Sequence, residues 1–107
     1  MLLSKETIEI TEHGVLSILS NHRKISIEAY ALGNPEKVEI LIDLDLLLTE
    51  ANLTERQRQI VELYYIEQRT QEQTAEALGI SQQRVQELLP VIKGRIKAVA
   101  RKWGESN

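Results

Sequence analysis

Along the second half of the chain, apolar residues recur at three- and four-residue intervals, the spacing of one face of an α-helix. Between Gln71 and Leu89, Ala75 and Leu78 form the inner face of one short helix, and Val85, Leu88 and Leu89 that of a second. Thr70 is placed to cap the first, with Gln73 three residues on completing a capping box. Gly79 ends it, because a residue without a Cβ turns left-handed at little steric cost. Ile80 then plugs the turn, and Ser81 offers a hydroxyl to cap the second helix. The build is that of a helix-turn-helix, two short helices crossing steeply and touching near a small residue, here Ala75. Gln82, Gln83, Arg84, Gln86 and Glu87 are left facing outward.

The same reading places the other elements. Gly33-Asn34-Pro35 is a break followed by a start: Asn34 caps, Pro35 suits the first helical position, and Glu36 and Glu39 complement the positive end of the dipole. The helix should run to about Glu50. Its apolar residues (Val38, Ile40, Leu41, Ile42, Leu44, Leu46, Leu47, Leu48) cover more than one stripe, which calls for burial on several sides. Either the rest of the monomer or a second copy or another partner supplies that cover. Thr54 caps a third helix, with Gln57 at the capping-box position and Ile60, Val61, Leu63, Tyr64 and Ile66 facing the core. Past the helix-turn-helix, Pro90 should kink or restart the chain and Gly94 should loosen it. Beyond them Ile92, Ile96, Val99 and Trp103 share a face at i, i+4, i+7, i+11. Residues 1–33 are the least patterned. Alternation in 7–10 and 24–28 hints at short strands, while 15–19 and 25–32 fit a helix equally well; the expectation is an irregular or partly helical arm.

The fold class expected is mainly α. An N-terminal arm or small subdomain (1–33) precedes an apolar helix available for oligomerisation or partner contact (34–52), and a helix-turn-helix domain follows (53–107). The 107 residues suit one small domain plus an arm. Without cysteine there is no disulfide framework and no thiolate metal site. His13 and His22 have no partners at ligand spacing, so no metal and no cofactor are expected. No apolar run is long enough to span a membrane, and the first ten residues lack a signal-peptide core; a cytoplasmic protein of a bacterial cell or phage-infected host is the expectation. A nucleophile with a base at motif spacing and a phosphate loop are also missing, which argues against an enzyme. Asp43 and Asp45, two apart on a helix, point in different directions.

The net charge of −3 changes meaning once it is divided. Residues 1–50 hold four basic and nine acidic groups, a balance of −5, and residues 51–107 hold nine and seven, a balance of +2. Between 82 and 103, six basic residues stand against Glu87 alone. For a polyanion the local patch outweighs the total.

LTERQRQIVELYY followed by TQEQTAEALGISQQRV, from Leu53 to about Trp103, resembles region four of bacterial sigma factors. The resemblance implies a leading helix packed behind a helix-turn-helix whose second helix enters the DNA major groove. Thr74 stands where that family has a bulky aliphatic, and Pro90 interrupts a normally continuous reading helix, so base contacts are expected in its first two turns. Residues 1–50 do not match the aromatic-rich sigma region that captures unstacked bases, which needs stacking platforms. A complete sigma factor is therefore not expected.

The function expected is a sequence-specific, double-stranded DNA-binding transcriptional regulator. Gln82, Gln83, Arg84, Gln86 and Glu87 are the candidate base readers, since Gln pairs with adenine, Arg with guanine, and Glu accepts from cytosine. Ser81, Arg56, Arg58, Lys93, Arg95 and Lys97 are the candidate phosphate contacts. A homodimer or higher homo-oligomer is expected, with RNA polymerase as a candidate protein partner. Two alternatives stand beside this reading: a phage DNA-packaging recognition subunit of the small-terminase kind, and a sigma-like module that binds RNA polymerase or a sigma antagonist instead of DNA.

Overall fold

The computed structural model describes residues 12–106. Among them the chain forms α1 (Glu12–Ser20), α2 (His22–Ser26), α3 (Pro35–Glu50), α4 (Glu55–Ile60), α5 (Gln71–Leu78) and α6 (Gln82–Ser106), and no strand. Two helices end in a wider turn with i→i+5 bonds: α2 continues as a π-helical segment over Ile27–Ala31, and α4 as one over Val61–Ile66.

The helix starts are set by local chemistry. Asn34 Oδ1 accepts from the Glu36 and Lys37 amides at 3.0 and 3.4 Å, with Pro35 next to it. Thr54 and Gln57 exchange the two bonds of a capping box at 3.1 and 2.9 Å, and Thr70 and Gln73 repeat it at 3.0 and 3.0 Å. Each box satisfies two amide donors that a helix start leaves without a partner.

One apolar cluster runs through the described chain. Val15, Ile18 and Leu19 of α1 meet Ile40, Leu44 and Leu47 of α3, Ile60 of α4, and Val85, Ile92, Ile96 and Trp103 of α6 in it. The long α6 is its spine, packing on α5, α4, α3 and α1. At the far end the Trp103 indole N–H donates to Glu50 of α3 at 2.7 Å, joining the two halves of the chain.

One open reading is resolved and one expectation is corrected. The alternation at 24–28 is helical, not a strand: Ile25 packs on the core and Ala29 is buried, a four-residue spacing, while Ile27 is exposed. The alternation at 7–10 lies outside the described residues. From Glu12 onward the N-terminal segment is helical in part, as expected, and α1 contributes three residues to the common core. Pro90 does not restart the helix; α6 continues through it. A proline inside a helix costs about 3 kcal/mol through a lost bond and a ring clash. Leu88 and Leu89 before it and Ile92 after it are all buried, and their burial offsets that cost.

Candidate nucleic-acid interface

The turn between α5 and α6 is closed by its own backbone. Gly79 is left-handed at φ 67°; its N–H donates to Glu76 O at 3.2 Å, and the Ile80 N–H reaches Ala75 O at 3.0 Å. This is the Schellman arrangement, and it satisfies the last carbonyls of α5. Leu78 and Ile80 pack against the core on either side, and Ser81 Oγ accepts from the Arg84 amide at 3.1 Å to start α6. Arg56 of α4 donates to Leu78 O at 3.1 Å, so a cation also sits on the negative end of α5. Behind the turn, Ala75, Thr74 and Val85 are buried. Thr74 leaves its buried Oγ1 without a hydrogen-bond partner.

All five candidate base readers are exposed on α6. Three are linked: Glu87 accepts from Arg84 Nη1 at 3.3 Å and from Gln83 Nε2 at 3.5 Å. An exposed i,i+3 pair of this kind is worth about 0–1 kcal/mol, little enough to give way to a better partner.

The candidate phosphate residues divide into groups. With 100° between successive residues, Lys93 and Lys97 lie on the same flank of α6 as Gln82 and Gln86. Both lysines are exposed, with no hydrogen bond or ion pair among the described residues. Arg95 projects from the opposite flank, with Arg84, and its Nη1 donates to Asn52 O at 3.0 Å. Ser81, Arg58 and Arg56 are exposed, though Arg56 is held at the turn. The sequence-based set thus does not form one cationic face. Spacing alone could have separated Arg95 from Lys93 and Lys97; the bonds of Arg56 and Arg95 arise from contacts distant in sequence.

Two cations outside that set join the surface. Arg101 stands on the outward face of α6 in line with Gln83 and Glu87. Arg69 lines a shallow depression with Gln73, Glu76 and Ala77 on the outer side of α5. Its place immediately before the Thr70 cap was the available signal. Among the described residues no group of three or more His, Cys, Asp or Glu could hold a metal, and no helix is long and apolar enough to cross a membrane.

Residues 51–89 match the family model of sigma-70, region 4. Over that segment, less than half of the chain, the sequence is similar to sigma-70 region 4, a DNA-binding class of helix-turn-helix module. The region 4 match opens at the connection before α4 and stops at Leu89, so it takes in the capping boxes, the Gly79 turn and the first two turns of α6. The N-terminal helices and the rest of α6 lie outside it. No curated protein and no solved structure matches the chain.

Proposed function

We propose that the chain is a sequence-specific double-stranded DNA-binding transcriptional regulator that places the first turns of α6 in the major groove. The observation that carries this reading is the free outer face of that helix: Gln82, Gln83, Arg84, Gln86 and Glu87 are exposed, while Val85, Leu88 and Leu89 alone hold those turns to the core. The reading side chains are thus spared from folding. Arg84 leaves Glu87 to donate two guanidinium N–H groups to guanine O6 and N7, and the freed Glu87 carboxylate accepts from a cytosine amine or repels a misplaced phosphate. Gln83 and Gln86 bind adenine edges. Ser81 abuts the backbone at the helix start, and Lys93, Lys97 and Arg58 neutralise phosphates, with Arg56 and Arg95 free to do so only by giving up their carbonyls. One module buries little surface, so useful specificity requires two copies on a repeated site or a protein partner such as RNA polymerase.

Selection of bound duplexes from a random pool, followed by binding measurements at two salt concentrations, tests the proposal. It expects an enriched sequence motif and affinity that falls steeply with salt. Retention of no duplex at low salt, or equal retention of every sequence, would refute it.

A further inference from the structure

Two apolar surfaces lie away from the reading helix, and their charges are opposite. The first is a groove of about 550 Å³ whose lining includes Arg23, Lys24, Ile27, Leu32 and Ile66, and no residue of α5 or α6. Ile27 and Leu32 are 51% and 73% exposed there. The two carboxylates of the groove are already paired, Glu28 with Lys37 at 3.5 Å and Glu67 with Arg69 at 3.0 Å. Arg23 and Lys24 are exposed and have no ion pair among the described residues, so the rim carries uncompensated positive charge.

The second surface is the outer stripe of α3. Val38, Ile42 and Leu46 follow one another at four-residue intervals, and Ile42 and Leu46 are 52% and 50% exposed. Glu39 and Asp45 flank the stripe on its two sides, exposed and without an ion pair among the described residues. Two such stripes packed symmetrically and antiparallel about Ile42 would bring carboxylates together, which is costly. The groove has the opposite rim.

We propose that these surfaces bind each other between copies of the chain: the α3 stripe of one copy seats in the groove beside α2 of the next. Ile42 and Leu46 then cover Ile27 and Leu32, and Glu39 and Asp45 approach Arg23 and Lys24. Because two different patches meet, the contact is heterologous and propagates head to tail, closing into a ring or extending as an open chain. It leaves α5 and α6 uncovered in every copy.

Sedimentation equilibrium without DNA tests this directly. The wild-type mass rises above the 12.2 kDa of one chain as concentration increases. The variants R23E/K24E and E39K/D45K each weaken association by roughly tenfold or more, since each puts like charges across its own contact. Mixing the two variants restores association, because every contact between unlike variants pairs opposite charges. All four positions are exposed, and helical circular dichroism checks that the variants fold. A mass fixed at one chain, association unmoved by either variant, or a mixture no stronger than its components overturns the proposal. Failure of DNA binding would leave it standing, as no step of the measurement involves DNA.

Discussion

At its N-terminal end α6 presents Gln83, Arg84 and Glu87 to solvent, their side chains bonded among the described residues only to one another, at 3.3–3.5 Å. At its C-terminal end the same helix buries Val99, Ala100 and Trp103 and bonds the indole to Glu50. The first end can change its side chains with little effect on the fold; the second cannot. A single rigid element thus lets one end be held by the N-terminal helices while the other stays free to meet a ligand. The packing of α1 and α3 on α6 is what aims the reading turns, although neither helix lies near them in sequence.

The largest effect that would sharpen this contrast is at the anchored end. Trp103→Ala removes a buried ring and leaves a cavity, and should destabilise the fold by about 3–5 kcal/mol, read from chemical denaturation. If its stability fell by less than a surface substitution does, the anchoring role would be wrong. Next comes Thr74, buried on α5 behind the turn that leads into α6. Thr74→Val replaces a buried hydroxyl that has no partner with a methyl of similar shape, and should raise stability by about 1–2 kcal/mol. Loss of stability would mean that the hydroxyl has a partner in solution. The smallest effect is at Gly94, midway along α6 and exposed, where a Cβ would meet nothing within 4 Å. Gly94→Ala should add about 0.5–1 kcal/mol by helix propensity, visible as a higher thermal midpoint. A drop there would show that the helix must flex at that point.

What could be read from the sequence was local. Asn34, Thr54, Thr70 and Ser81 cap the helices they precede, and Gly79 takes the left-handed turn, because each depends on residues within a few positions. The inward stripe from Val85 to Trp103 followed from period alone. Pro90 misled because a local rule was overridden by burial on both sides of it. Residues 24–28 stayed open because alternation over five residues fits a strand as well as a helix, and only tertiary contact chooses Ile25 and Ala29. The exposure of the reading residues followed from the same period. The engagement of Arg56 with Leu78 and of Arg95 with Asn52, 22 and 43 residues apart in sequence, did not.

The central claim is that the exposed first turns of α6 read bases, and Arg84→Ala tests it most directly. Affinity should be measured on a selected duplex and on a random one at the same salt, with the stability of the variant followed in parallel. The account predicts a loss of about 1–3 kcal/mol on the selected duplex, a much smaller loss on the random one, and stability within about 0.5 kcal/mol of the wild type. Equal losses on both duplexes would contradict it, reducing Arg84 to a phosphate contact.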